Sequence, residues 1–540
     1  MSRSETTSAP HKLPLPQGGQ KLAKWLFLAL LALGMLLVAD YGVSWDEPTD
    51  QRNGLVSLRY VADLVLGHKP YPIEQYRDSD HGVLFELPMT LVARYGLGLV
   101  GEQVDRNYYL IRHSFTFLLV LGGLGALYGL ARLRLHRPWL ALLPVVLFVL
   151  SPRLFAESFY NAKDLLFLAV FTLGMFTLAR LVQRPTLGRA LLHGLATAAA
   201  IDVRLLGLLL VPFTLGLLLL VSWLPTTSAG QLRRLGAVVG IYLVAAATAG
   251  VGGWPYLWAS PLPRLLLAFQ RMSHFPWQGN VLYWGKLEQA QHLPWHYAPV
   301  WLLITTPVAY WVAALVGLVL VALWLVRRPL KELRTFNGRL DLLLCGWLLL
   351  PFVLVISMKS VIYDGWRHLY FTYPALLLLA VSGGEQLWEW GRGHQWARPL
   401  LLGLGLLAGF EMGLTAVRMV RMHPHQQVYF SFLTSQQVAG TFERDYWGLA
   451  YRQGLEYLVR HQPTGPILVA AAEEQPLLNN LVWLSPIDQQ RIRVLDEPGP
   501  GRYYFFGYRA WPGLLPTGRG QEVHHVEADG LTILSVLYQP

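Results

Sequence analysis

The feature that most constrains this chain is the recurrence of long apolar runs, at 25–39, 114–131, 139–150, 165–182, 190–201, 205–224, 235–252, 307–326, 340–356, 369–381 and 399–417. With 54% hydrophobic and only 14% charged residues over 540 positions, these runs exceed what one water-soluble domain can bury. The fold class expected is therefore a mainly α, polytopic membrane protein of about 11 transmembrane helices. Several runs fall short of the roughly 18–20 residues that a lone helix needs to cross a bilayer.

Arginines mark the sidedness. Arg132, Arg134 and Arg137, then Arg180, Arg184 and Arg189, Arg233 and Arg234, Arg327 to Arg339, and Arg392 with Arg398 fall in alternate connections, which by the positive-inside rule are cytoplasmic. The N-terminal tail (1–21) is polar and reads as a disordered cytoplasmic segment. Lys21 and Lys24 then precede an uncleaved first span, since no small-residue cleavage site follows. A first extracytoplasmic loop at 40–112 holds eleven acidic residues against seven Lys and Arg. An odd number of spans puts 418–540 on the same side as that loop. Strand-like runs at 467–471, 492–495, 503–508 and 523–526, the last joined through Asp529-Gly530 to 531–538, predict a small α/β domain there. The domain division is thus 1–21, a transmembrane body at 22–417, and an extracytoplasmic region at 418–540.

The net charge of +11 is spread over short connections and forms no single patch, so nucleic-acid binding has little support. One cysteine, Cys345, excludes an intramolecular disulfide and a cysteine metal cluster. Trp- and Tyr-rich stretches such as 253–256 and 294–297 suit interfacial helices at the headgroup level. Gly125 and Gly129, and Gly405 and Gly409, recur four apart and read as close helix packing.

Four polar constellations interrupt this apolar frame. Asp46 and Glu47 follow the first span directly, where adjacent carboxylates are costly unless water or a substrate meets them; the structural alternative is capping of a helix beginning at Pro48. The turn 151–164 carries Arg153, Glu157, Tyr160, Asn161, Lys163 and Asp164; its alternative is snorkelling cations and a cap. Asp202-Val203-Arg204 sits between two apolar runs, suited either to an internal ion pair or to an Arg on a lipid phosphate. The stretch 358–368 brings Lys359, Tyr363, Asp364, Arg367 and His368 to the same surface. His274, His292, His296, His423 and His425 lack a firm metal-ligand spacing.

Taken together, the Asp-Glu pair, the turn 158–164 (SFYNAKD), the Arg at the outer end of the fifth run, the stretch 363–368 (YDGWRH), and the segments 423–430 (HPHQQVYF) and 442–448 (FERDYWG) resemble the GT-C class of membrane glycosyltransferases. The group resembled is the protein O-mannosyltransferase and lipid A aminoarabinose transferase group, with its bacterial family 39-like homologues, over about 25–454. The resemblance implies a polyprenyl-phosphate-sugar donor, an extracytoplasmic acceptor (glycan, lipid or protein) and location in the bacterial plasma membrane. It matches Asp46 to the family's catalytic carboxylate in the first loop and Glu47 to the second member of the dyad.

Chemistry agrees. Glycosyl transfer needs a base for the acceptor's proton and cations for the departing phosphate. Asp46 fits the base. Arg204, Lys359, Arg367 and His368 fit the phosphate, with Arg153, Tyr160, Asn161, Lys163, Asp164, Tyr363 and Asp364 supporting the site or acceptor. No cofactor is required, and a divalent metal stays open. The alternative is a transporter or flippase using the same charges, although no internal repeat is evident.

Overall fold

A computed structural model describes residues 17–540 except 103, 224–228, 274, 276, 514, 516 and 517. The tail at 1–16 lies outside the described residues. Among those described, eight helices are long and apolar enough to cross a membrane: Gly19–Leu37, Arg106–Arg134, Asp164–Gln183, Leu205–Trp223, Gly230–Gly253, Val308–Arg327, Phe336–Ser357 and Ala397–Met422. A ninth results if Pro138–Val149 and Pro152–Tyr160, bent by 75° at their junction, form one span. Ser151-Pro152 explains the bend, because proline offers no N–H to the preceding turn and disfavours a helical residue before it.

The count of eleven is therefore too high by this measure. The run at 190–201 forms a 15-residue helix, Leu187–Ile201. The run at 369–381 enters Tyr373–Arg392, which also carries Glu385 and Glu389 and buries most of its length. Buried charge also occurs where Arg134 pairs with Asp341 through two nitrogens, Nη2 at 3.0 Å.

The expected close helix approach is found at Gly129, where a Cβ would lie 2.7 Å from the Phe176 ring. Among the described residues nothing lies within 4 Å of a Cβ placed at Gly125, Gly405 or Gly409; the helix Ala397–Met422 that carries the last two is hardly covered by protein. Further close contacts occur at Gly123 against Ala169, Gly194 against Ala245, and Gly317 against Gly383.

The first loop folds onto one end of these helices as Glu47–Val65, a 3-10 turn Ile73–Gln75, and Glu86–Leu91. Asp202 pins its middle. The carboxylate accepts the N–H of Val83 at 3.0 Å and the carbonyl accepts that of Leu84 at 3.3 Å. Gly82 permits this approach, since a Cβ there would lie 2.1 Å from the Asp202 carbonyl oxygen. The helix Pro261–Ser273 leaves Leu262, Leu266 and Phe269 exposed, as an interfacial helix does. A hairpin of β1 (Asn280–Tyr283) and β2 (Lys286–Gln289) follows it.

The C-terminal sheet comprises β3 (Ile467–Ala471), β4 (Ile492–Val494), β5 (Arg502–Gly507), β6 (Gln521–Ala528) and β7 (Leu531–Gln539), in the order β4-β3-β5-β7-β6. The β6–β7 turn places Asp529 and Gly530 at φ 53° and 76°, the primed turn that suits this dipeptide. One buried core runs without interruption from Leu30 and Leu178 in the spans to Phe505 and Leu534 in the sheet. Asn480 ties the two regions. Its Oδ1 accepts the Val43 N–H at 2.9 Å, and its Nδ2 donates to Val43 O at 3.1 Å and Pro476 O at 2.9 Å.

Asn480→Ala strands both backbone groups of Val43 in a buried setting, which costs roughly 2 kcal/mol or more. The expected outcome is a lower unfolding temperature in detergent together with faster protease cleavage near residue 43, both measurable on purified protein.

Candidate active site

Asp46 immediately precedes the helix Glu47–Val65, yet its carboxylate makes no capping hydrogen bond. It points instead at Arg367 and Tyr446. Oδ2 accepts from Arg367 Nη1 at 2.9 Å and Oδ1 from the Tyr446 hydroxyl at 2.8 Å, and the side chain remains 25% exposed. Glu47, one residue on, turns inward. It accepts the Ser44 N–H at 2.7 Å, lies 3.0 Å from His113 Nε2 and 3.3 Å from Arg112 Nε, and Arg112 is held by Glu86 at 2.7 and 2.8 Å. The two adjacent carboxylates thus differ in use: Asp46 faces an open site, whereas Glu47 is buried in the network that shapes the loop.

The turn before Asp164–Gln183 supplies the second carboxylate. Asn161 orders it, accepting the Asp164 N–H at 2.8 Å and donating to Asp164 Oδ2 at 3.1 Å and to Glu157 at 2.8 Å. Asp164 then holds Arg204 through Oδ1 and Arg367 through Oδ2 at 3.3 Å. Arg367 completes its contacts with a bond from Nη2 to the Tyr446 hydroxyl at 3.0 Å, and its guanidinium lies 4.6 Å over that ring and 5.2 Å over Tyr363. Three other stretches of sequence therefore converge on the Arg367 guanidinium. Lys163 joins their edge through Asp50 at 3.1 Å.

The electrostatics follow from this geometry. Burial pushes the Asp46 carboxyl up, but Arg367, Lys163 and the Tyr446 hydroxyl outweigh it and hold the group below the usual carboxylate range. His368, between Arg367 and the next helix, is driven well below the usual imidazole range by burial and then by Arg367 and Arg204. A neutral imidazole can donate one hydrogen bond to a phosphate but adds no charge.

Other expected residues lie apart or serve differently. Lys359 is exposed at the end of Phe336–Ser357, at φ 50°, with no ion pair among the described residues, because its backbone turns outward there. Arg153 donates to the Tyr429 carbonyl at 3.0 Å and stacks over Trp301 and Phe430. Tyr160 packs against Tyr41 and Trp447. Tyr363 stacks on Trp277 at 4.3 Å, and Asp364 pairs with Arg509 at 3.0 Å.

Tyr446 and Arg509 were missed as site residues. Tyr446 lies inside the 442–448 segment that carried part of the resemblance; nothing in the sequence singles out Arg509. Among the described residues no group of three or more His, Cys, Asp or Glu side chains forms a metal site. A cavity of about 880 Å³ lies on the opposite face of the helix Glu47–Val65, lined by Pro48, Gln51, Arg52, Arg106, Asn479 and Trp483 among others.

Arg367→Met removes the guanidinium that Asp46 and Asp164 share, leaving Asp164 with Arg204 and Asp46 with the field of Lys163. Breaking a buried pair in this way costs about 3–5 kcal/mol. The expected outcome is a clear fall in unfolding temperature, partly recovered in Arg367→Met combined with Asp164→Asn.

No family model and no curated protein matches the chain. Among solved structures, it is similar to ArnT from Cupriavidus metallidurans in the apo state, with 16% identity over 96% of this chain and 99% of that one and a TM-score of 0.46. The same protein bound to undecaprenyl phosphate gives 16% identity, the same coverage and a TM-score of 0.43. The oligosaccharyltransferase AglB from Archaeoglobus fulgidus, in complex with an inhibitory peptide and a dolichol-phosphate, gives 10% identity over 90% of this chain and 70% of that one, with a TM-score of 0.43.

Proposed function

We propose that this chain is a glycosyltransferase that moves a sugar from a polyprenyl-phosphate-linked donor to an acceptor hydroxyl outside the cytoplasmic membrane. The observation that carries the reading is the sharing of Arg367 between a partly exposed carboxylate, Asp46, and a buried one, Asp164, that also holds Arg204. A base and two guanidiniums thereby occupy one cluster at the outer ends of the helices.

In this reading the acceptor hydroxyl gives its proton to Asp46 as its oxygen bonds to the anomeric carbon. The bond from that carbon to the phosphate oxygen breaks, and its electron pair leaves with the phosphate, whose charge rises from one to two. Arg367 and Arg204 receive that charge through forked, charge-assisted hydrogen bonds. A carboxylate paired with a guanidinium is a weak base, so the pairing of Asp46 must loosen before transfer. A donor phosphate that draws Arg367 toward itself supplies this loosening, and Asp46 gains basicity when the acceptor arrives. Glu47 acts on the shape of the loop that presents Asp46. Lys359, exposed and unpaired among the described residues, has no part in the proposed step.

The test is release of polyprenyl phosphate from a panel of lipid-linked sugars by purified protein. Asp46→Asn should lower it by at least about 100-fold while the unfolding temperature changes little. Because the Asp46 carboxyl is held below the usual carboxylate range by Arg367, kcat/KM of the unaltered protein should stay level through that range as pH falls and drop only below it. Near-normal release by Asp46→Asn removes the base assignment. Passage of intact donor across a vesicle bilayer without release favours a flippase.

The reading also requires that the first loop and the C-terminal sheet share the extracytoplasmic side, as the arginine distribution indicates. A reporter that works only in the cytoplasm, fused after Pro540, should be silent; an active reporter reverses the orientation.

A further inference from the structure

Arg509 lies in the loop that follows β5, in the C-terminal sheet region and more than 140 residues from Arg367 in sequence. Its guanidinium donates to Asp364 Oδ1 from Nη2 at 3.0 Å and from Nε at 3.3 Å. It lies 4.7 Å over the Tyr446 ring, 5.5 Å over Trp45 and 5.9 Å over Trp277. The other oxygen of Asp364 is 3.8 Å from Arg367 Nη2 and accepts no hydrogen bond.

The backbone fixes this carboxylate in place. Asp364 sits at φ 56°, a left-handed conformation that costs a non-glycine residue strain, and the next N–H, of Gly365, is held by the Tyr297 hydroxyl at 3.0 Å. Asp364 therefore cannot easily swing away from Arg367, and what it does to Arg367 depends on Arg509. Two further carboxyls approach Arg509. Burial raises all three carboxyls, Asp364 against the opposing pull of Arg509 and then Arg367; Asp364 is the one in direct hydrogen-bond contact with Arg509, which favours its ionised form.

Charge counting gives the consequence. Asp46, Asp164 and Asp364 stand against Arg204, Arg367 and Arg509, three against three. Without Arg509 the cluster carries an excess negative charge, and Asp364 is left with Arg367 as its nearest cation. Such a cluster repels an anionic phosphate and keeps the Arg367 fork on a carboxylate.

We propose that Arg509 is a positioning residue: by neutralising Asp364 it leaves Arg367 available to a polyprenyl phosphate, which makes the C-terminal region part of the phosphate-binding centre. This rests on the glycosyl-transfer reading for its place in a reaction, but not for its test.

The test uses full-length protein in detergent micelles and undecaprenyl phosphate as probe. Affinity is measured for the unaltered protein, Arg509→Gln, Arg509→Lys, Asp364→Asn, and the double variant Arg509→Gln with Asp364→Asn. Arg509→Gln should weaken binding about ten-fold, Arg509→Lys less than three-fold, and the double variant should bind at least five-fold better than Arg509→Gln alone. Unchanged affinity in Arg509→Gln, or a double variant no better than it, overturns the proposal. If Arg509→Gln fails to fold, a ten-fold loss in Arg509→Lys overturns it and retention supports it. Binding with this pattern but without sugar release removes the glycosyl-transfer reading and leaves the role of Arg509 intact; no binding by the unaltered protein overturns both.

Discussion

The guanidinium of Arg367 is the interaction on which the rest of the structure depends. A buried cation without partners is costly enough to unfold a region, and its cost is met only when several acceptors surround it with good geometry. Here the acceptors are Asp46, Asp164 and the Tyr446 hydroxyl, from the first loop, the polar turn and the segment after the last span. Each of these stretches is fixed in turn by its own hydrogen bonds: Asn161 for Asp164, Glu47 with Arg112 and His113 for the loop, and Asn480 for the segment before Asp46. The fold can be described as a set of apolar helices whose outer ends are held in register by this one buried charge.

The same arrangement sets the electrostatic state of the site. Carboxylates and guanidiniums alternate, so the cluster is close to neutral, and every charged group already has a partner. Such a site has little to gain from binding water or a simple ion. An incoming group must offer Arg367 and Arg204 something better than a carboxylate, and a phosphate with several oxygens does so. The depressed Asp46 value belongs to its contacts with Arg367, Lys163 and Tyr446. In the proposed reaction a phosphate that takes Arg367 changes the partner and, with it, the basicity.

Much of this was legible in the sequence for physical reasons. Apolar runs report burial or lipid directly, so most of the eleven runs coincide with helices long and apolar enough to cross a membrane; those at 190–201 and 369–381 fall outside that measure. Asp529-Gly530 marked its hairpin because few other dipeptides tolerate two positive φ angles. Asp46, Asp164, Arg204 and Arg367 stood out because each charge lies beside an apolar run. Glu47 stood out equally, and only the fold separates its inward side chain from that of Asp46. Lys359 met the same criterion but lies outside the cluster, since a position near a helix end fixes depth and not direction. Arg509 could not be found, because its significance arises from a contact with Asp364 across the sheet-to-membrane junction that no local pattern encodes.

The central claim, that a phosphate takes Arg367 from Asp46, is tested most directly by following the Asp46 carboxyl itself. Infrared difference spectra of isotope-labelled protein, assigned with Asp46→Asn, would titrate this group with and without undecaprenyl phosphate. The account predicts an ionisation below the usual carboxylate range in the empty protein and a rise of about one pH unit or more when the lipid phosphate is bound. An Asp46 titration that is unchanged by the lipid, or that moves lower, contradicts it.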